Sequence, residues 1–286
     1  MQERRERSDL IAVDIGNSRI KLGRFQRDGI EKAAISADNP AVDTHRLSEP
    51  IATVELPIIN TSGVFDQARL AAWCKQERLG SIEWRVASVQ RAAAIRFASA
   101  LADLAKQHAF NWPVQHLTFC DLPLTIRVDE PQRVGIDRLL GALAGNILRT
   151  HDRGAIIVDM GTAITVDLLE PDGAFAGGAI LPGLAMSAQA LAEQTDALPH
   201  VDLEFVDGHP APLGKSTVPA IQSGIYWGTI GAIREMIKQL SAPLRTTPDV
   251  FITGGASKYV AETLADQQPT RHLHNLVLSG IALVKP

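Results

Sequence analysis

Two stretches of this sequence, separated by about half its length, follow one pattern. The first, LIAVDIGNSRIKLGRFQRDG, runs from Leu10 to Gly29, and the second, IIVDMGTAITVDLLEPDG, runs from Ile156 to Gly173. Each opens with an apolar run typical of a buried strand, reaches an aspartate, turns at a glycine and continues as a second strand. Repetition at this spacing indicates a duplicated domain, and duplicated domains often hold a ligand in the cleft between the copies.

The elements predicted around each pattern also correspond, with three strands first and then helices that alternate with strands. In the first half we predict strands at 10–13, 19–25, 30–35, 83–89 and 113–117, and helices at 66–76 and 92–108. In the second half we predict strands at 155–158, 162–169, 174–181 and 250–253, and helices at 137–148, 184–194, 217–240, 257–265 and 274–284. The segment DLPLTIRVDEP, at 121–131, contains two prolines. It marks a boundary between domains at 8–125 and 126–286.

Composition restricts the class of protein. The chain has 286 residues, of which 45% are hydrophobic, so it is long enough for two ordinary domains with real cores. A net charge of -4 gives no basic surface for nucleic acid. The two cysteines form no disulfide framework, and no run reaches the length of about 20 apolar residues that a membrane span needs. We expect a soluble cytoplasmic protein that binds neither nucleic acid nor membrane.

The turns at Asp14–Ser18 and Asp159–Ala163 have the chemistry of a phosphate site. A carboxylate at the end of a strand can hold a cation, and a glycine lets a phosphate approach the backbone N–H groups. For one copy alone, an aspartate that caps its own turn is the simpler explanation. Two copies at matching places favour a polyphosphate held from both sides.

These paired turns resemble the superfamily of acetate kinase, sugar kinases, Hsp70 and actin, and TGG at 253–255 resembles the glycine pair that contacts adenosine there. The segment GHPAPLGKST, at 208–217, only imitates a Walker A loop. Five residues separate its first glycine from Gly-Lys-Ser, whereas the Walker A motif has four. Two of these five residues are prolines, which have no N–H to donate.

Three motifs in this order are more specific. They are DIGNS at 14–18, VGIDR at 134–138 and DMGTAITVDLLEPDGAFAGGAILPG at 159–183. Together they resemble the type III pantothenate kinases over nearly the whole chain from Leu10 onward. The resemblance implies two ribonuclease H-like (actin-like ATPase) domains of α/β class, with the nucleotide in the cleft between them. It also implies transfer of phosphate from ATP to pantothenate, the first step of coenzyme A synthesis.

The resemblance further implies a set of site residues. The residues that contact ATP would be Asp14, Ile15, Gly16, Asn17, Ser18, Arg19, Ile20, Lys21 and Thr162. Those that contact pantothenate would be Gly135, Ile136, Asp137, Arg138 and Thr217, with Asp137 as the proton acceptor. Asp159 would hold a monovalent cation, K⁺ or NH₄⁺, and ATP would carry Mg²⁺. The family is usually a homodimer.

The sequence departs from the family at three positions. Ser18 replaces the usual threonine and keeps its hydroxyl, Ile136 stands where alanine is frequent, and Val128 stands where a tyrosine often contacts pantothenate. Two alternatives therefore stay open. One is a kinase of another small alcohol or sugar in the same superfamily. The other is a non-catalytic regulatory relative, although such a protein would be expected to lose Asp137 or Asp159.

Overall fold

The structure, a computed structural model, describes residues 9–31, 47–203, 205, 208–266 and 269–285. Its strands are β1 (Leu10–Ile15), β2 (Arg19–Phe25), β3 (Ala52–Pro57), β4 (Glu83–Ser88), β5 (Val114–His116), β6 (Ala155–Met160), β7 (Ala163–Leu169), β8 (Phe175–Pro182), β9 (Asp249–Thr253) and β10 (Arg271–His272). Its α-helices are α1 (Gln67–Gln76), α2 (Arg91–Gln107), α3 (Ile136–Leu148), α4 (Leu184–Glu193), α5 (Thr217–Ser241), α6 (Ala261–Ala265) and α7 (Leu276–Leu283). No helix in these ranges is both long and apolar enough to cross a bilayer.

The two five-stranded sheets share one topology. Their strand orders are β3-β2-β1-β4-β5 and β8-β7-β6-β9-β10. In both sheets the first three strands are antiparallel, and the first strand also pairs in parallel with the fourth. β1 and β6 have the same burial pattern residue by residue, and so do β2 and β7. The predicted α/β fold, two ribonuclease H-like domains that arose by duplication, is confirmed.

The first sheet belongs to a compact unit formed by Met1–Leu124, Asp129–Leu148 and Asn275–Pro286. Side chains of β1 pack with those of α1 and α2 in one apolar core. α3 and α7 cross closely, since a Cβ on Gly280 would lie 2.2 Å from the Leu140 carbonyl oxygen. The buried Arg85 of β4 donates to the carbonyl oxygens of Ala282 and Val284, which joins the end of α7 to the sheet.

The second sheet belongs to a unit formed by Thr125–Val128 and Arg149–His274. Its apolar core lies between β6, β7 and β9 and the long helix α5, whose buried residues recur at helical spacing. A smaller cluster joins α4 to the first turns of α5. The Pro-Asp-Gly turn after β7 is closed at Gly173, which has a φ of +87° and donates to the Glu170 carbonyl oxygen at 2.8 Å.

Most predicted elements are confirmed within a residue or two, but the helix predicted at 257–265 is a 3₁₀ turn at Ser257–Tyr259 followed by α6, and one predicted strand is wrong. The third strand of the first sheet is β3 at Ala52–Pro57, while residues 27–31, which include the start of the strand predicted at 30–35, are helical. The rest of the predicted strand, residues 32–35, lies outside the described residues. In space α3 and α7 group with the first sheet. The division of the chain into domains at 8–125 and 126–286 stays a prediction.

Candidate active site

The first predicted phosphate turn joins β1 to β2. Asp14 is the fifth residue of β1 and is half-buried. The Gly16 N–H donates to the Arg19 carbonyl oxygen at 3.0 Å, which closes a turn with Asn17 and Ser18 exposed at its tip. A Cβ at Gly16 would lie 3.4 Å from that carbonyl oxygen, which is an ordinary van der Waals contact. The turn presents exposed polar groups at the end of a rigid strand.

The side chains around this turn divide into three kinds. Those of Ile15 and Ile20 are fully buried, so only their backbone groups are available to a ligand. The Arg19 guanidinium is bound at 2.9 Å to the Glu55 carboxylate on the surface. Lys21, half-buried on β2, is the cross-strand partner of Asp14. The two side chains therefore project from the same face of the sheet.

The second predicted turn joins β6 to β7 and is one residue shorter. Asp159 is again the fifth and half-buried residue of its strand. The Gly161 N–H donates to the Ala163 carbonyl oxygen at 3.0 Å, and Thr162 is exposed at the tip. The turn packs against Gly183, since a Cβ there would lie 2.2 Å from the Thr162 carbonyl oxygen. This close contact restricts the backbone of the turn.

The cross-strand neighbours of Asp159 are threonines with hydroxyl groups, whereas Asp14 has a lysine with an amine as its neighbour on β2. Asp159 pairs with Thr165 across β7 and with Thr253 across β9. The hydroxyl oxygen of Thr165 is buried, and it has no hydrogen-bond partner among the residues that the structure describes. Gly254, at a φ of +94°, lies so close that a Cβ would be 2.4 Å from the Asp159 carboxylate. This position therefore requires glycine.

Asp137 lies in the first turn of α3, where a carboxylate is favoured by the helix dipole. The Arg138 N–H donates to its carboxylate at 2.8 Å. Burial raises the pKa of Asp137 above its usual value, while that hydrogen bond and the Arg138 charge lower the pKa by less. A carboxylate held in this way is a stronger base than an exposed aspartate.

Asp137 and the first turn lie at the same end of the first sheet. The Asp137 carboxylate folds over Gly135, where a Cβ would be only 2.5 Å from it and 3.7 Å from Val89. The Val89 N–H in turn donates to the Ile15 carbonyl oxygen at 3.0 Å, directly beyond the end of β4. Carboxyl ends of parallel strands are where α/β proteins bind ligands. The segments 14–21 and 135–138 thus come together within one compact unit.

The other predicted site residues have these positions. The Ile136 side chain is buried in the core, so its backbone is what remains for a ligand. Thr217 is the exposed first residue of α5, next to the N-cap Ser216, in the second unit. The preceding loop is tied to α5 by its proline carbonyls, since Ser223 donates to Pro212 at 2.7 Å. That use of the prolines differs from a phosphate loop, which presents N–H groups.

A serine–histidine pair behind Gly254 was missed by the sequence analysis. The buried Ser257 hydroxyl donates to the Gly254 carbonyl oxygen at 2.6 Å and lies 2.6 Å from His272 Nε2. Burial, and to a lesser extent the neighbouring His274, lower the pKa of His272. The pair fixes the glycine that packs against Asp159. The Gly-Gly pair marked this loop in the sequence, but no spacing connected it to His272.

Comparison with known proteins gives a consistent result. A family model described as type III pantothenate kinase matches residues 10–239. Two relatives from Dehalococcoides mccartyi strains, both named type III pantothenate kinase, are 31% and 35% identical over 254 residues. These alignments cover 88% of this chain and 87% and 88% of the relatives. Among solved structures, the ethanolamine utilization protein EutJ from Carboxydothermus hydrogenoformans aligns with a TM-score of 0.48 and 15% identity, over 96% of this chain and 89% of EutJ.

Proposed function

The chain belongs to the type III pantothenate kinase family, which phosphorylates pantothenate with ATP at the start of coenzyme A synthesis, and we propose that Asp137 is the base of this reaction. The observation that carries the proposal is the half-buried carboxylate of Asp137, whose pKa desolvation raises, beside the Asp14 turn. A primary alcohol is a weak nucleophile. A carboxylate within hydrogen-bond reach takes its proton as the new P–O bond forms.

The first turn suits the phosphates of ATP. Phosphoryl transfer depends mainly on positioning and on neutralising charge that spreads over the phosphate oxygens. Here the backbone from Asp14 to Ser18 offers N–H groups at the tip of a tight turn, and Lys21 adds a positive charge beside it. We assign the segment from Asp14 to Lys21, together with Thr162, to ATP.

Pantothenate is assigned to the segment Gly135–Arg138 and to Thr217. Arg138 follows the proposed base directly on α3, and its planar guanidinium suits the pantothenate carboxylate. Gly135 lies against the proposed base, since a Cβ there would be 2.5 Å from the Asp137 carboxylate. Thr217, exposed at the start of α5, offers a hydroxyl and a free helix N–H.

A cation at Asp159 also belongs to the proposal. Hard cations such as K⁺ and Mg²⁺ prefer oxygen ligands. The residues fit a monovalent cation, since a carboxylate is flanked by two threonines, and the buried hydroxyl oxygen of one has no hydrogen-bond partner among the described residues. Bound there, K⁺ or NH₄⁺ would offset the negative charge of the phosphates, and Mg²⁺ would arrive with ATP. Asp14 is the carboxylate assigned to that Mg²⁺.

We also propose a homodimer in the cytoplasm. Large apolar side chains are exposed on several elements of the second unit, at Ile180 (64%), Met186 (42%), Leu213 (75%) and Val218 (41%). A second copy that covered them would remove this apolar surface from water. The two cysteines are both free, as in a reducing compartment. Light scattering after gel filtration should give about twice the chain mass of 30.8 kDa, and a monomer mass would contradict the dimer.

The test of function is a coupled ADP-release assay with a panel of alcohols, which includes pantothenate, sugars and glycerol. Pantothenate alone should raise ADP release above the background of ATP hydrolysis. Stimulation by a sugar but not by pantothenate would favour the other kinase. Absence of stimulation by every alcohol, in a protein that binds ATP, would favour a regulatory relative.

A further inference from the structure

The two sheets carry a matched row of three side chains at the end of each first strand. In the first sheet the row is Lys21, Asp14 and Ala87, and in the second it is Thr165, Asp159 and Thr253. In each row the aspartate is the fifth residue of its strand and the other two are its cross-strand partners. Partners directly opposite each other project from the same face of a sheet. The rows differ at both flanking positions, where Thr165 corresponds to Lys21 and Thr253 to Ala87, and of these four side chains only that of Lys21 carries a charge.

We propose that the monovalent cation of the second sheet is the counterpart of the Lys21 ammonium group in the first, with the Thr165 hydroxyl as its second protein ligand after the Asp159 carboxylate. This inference rests on the proposed function, because it concerns the cation assigned there to Asp159. It adds a ligand that the family motifs do not indicate. It also gives a physical reason why the cation carries a single charge.

The Thr165 hydroxyl is the observation that points to a ligand. Its oxygen is buried and, within the part of the chain that the structure describes, has no hydrogen-bond partner. A buried hydroxyl without a partner is unfavourable by about 1–3 kcal/mol, so such groups usually have a bound water or ion. A cation beside the neighbouring carboxylate would give this oxygen a partner.

The charges on the two faces agree with this inference. Two residues beyond Lys21 the first sheet has Gly23, whereas two residues beyond Thr165 the second has the buried Asp167. The second face thus has a buried carboxylate at this position and lacks the lysine, whose partner on β3 in the first sheet is the exposed Glu55. K⁺ and NH₄⁺ have the same charge as a lysine side chain. Mg²⁺ demands octahedral geometry and keeps several waters, which suits it less to a buried row.

The test is the effect of K⁺ on the melting temperature, measured with a non-hydrolysable ATP analogue at constant ionic strength against choline. We expect K⁺ to stabilise the wild type. Thr165→Val keeps the shape and removes the hydroxyl, and should raise the K⁺ midpoint about 10–100-fold, the usual effect of removing a supporting ligand. Thr53→Val, an exposed threonine on β3 of the other sheet, is the matched control and should leave the midpoint unchanged.

A second variant, Thr165→Lys, supplies the cation covalently. Its melting temperature should not respond to K⁺, and it should release ADP with pantothenate in choline alone. An unchanged K⁺ midpoint in Thr165→Val, or a wild type without a K⁺ response, would overturn the inference. Either result would leave the kinase assignment standing if pantothenate still stimulates ADP release. Loss of that stimulation in the wild type would instead refute the proposed function.

Discussion

The two turns differ in how they manage charge, although they stand on equivalent strands. The first has an aspartate beside a lysine, and the second has an aspartate beside threonines and a glycine in the left-handed region. The proposed base also lies in the unit of the first turn. Duplication thus preserved the backbone of both turns while their side chains diverged. We infer that the first turn positions the reacting groups and that the second supplies a site for a mobile charge.

The largest effect should come from the base beside the first turn. Asp137→Asn removes the proton acceptor and keeps the shape, so turnover should fall about 10²–10⁴-fold. The KM for ATP should change little, because the segment Asp14–Lys21 is intact. Single-turnover kinetics and circular dichroism check the chemistry and the fold. Wild-type turnover in this variant would show that Asp137 is not the base of the reaction.

Making the first row like the second sharpens the comparison. Lys21→Thr removes a charged contact to the phosphates, which is worth about 1.5–3 kcal/mol, so the KM for ATP should rise about 10–100-fold. High K⁺ should restore part of the loss because the new row resembles that of the second sheet. Lys21→Arg, which keeps the charge, is the control. A Lys21→Thr variant with an unchanged KM would show that the lysine does not contact ATP.

A smaller effect distinguishes the glycines of the two regions. Gly254→Ala forces an alanine into a positive φ and against the Asp159 carboxylate, which should lower the free energy of unfolding by about 1–3 kcal/mol. Gly16→Ala is the matched change at the first turn. It has no positive φ, and its nearest neighbour is at 3.4 Å. Urea denaturation should find Gly254→Ala the less stable of the two, and equal stabilities would contradict this account.

The smallest effect is a dependence of stability on pH. Because burial raises the pKa of Asp137, the fold favours its protonated form. The contribution of Asp137 to the free energy of unfolding is complete below the ordinary carboxyl pKa and is lost as the pH rises through the raised value. Asp137→Asn should therefore become more stable relative to the wild type as the pH rises from about 3 to 8. A difference independent of pH would mean that this carboxyl is not desolvated.

The sequence predicted the strands of both turns because their apolar runs and glycines are local signals. It placed β2 at its observed bounds and recognised the matching aspartates. It misplaced β3, because the segment before it contains prolines and scattered charge without a clear period. It also gave no indication that α7 packs on the first sheet, since that contact depends on a buried arginine far away in the chain.

The site shows the same division between local and distant signals. The motifs mark Asp14, Asp137 and Asp159 because each of these residues lies in a short, continuous run of residues typical of the family. The raised pKa of Asp137 depends on burial that no motif records. The role proposed for Thr165 becomes visible only when the two sheets are paired strand by strand, which sets it opposite Asp159 as Lys21 is opposite Asp14.

The most direct test of the difference between the turns is a crystal structure with Tl⁺ in place of K⁺ and a non-hydrolysable ATP analogue bound. Anomalous scattering from Tl⁺ reports the position of the cation. We expect one strong peak between the carboxylate of Asp159 and the hydroxyl of Thr165, and none beside Asp14, where Lys21 supplies the charge. A peak beside Asp14, or none beside Asp159, would contradict the account.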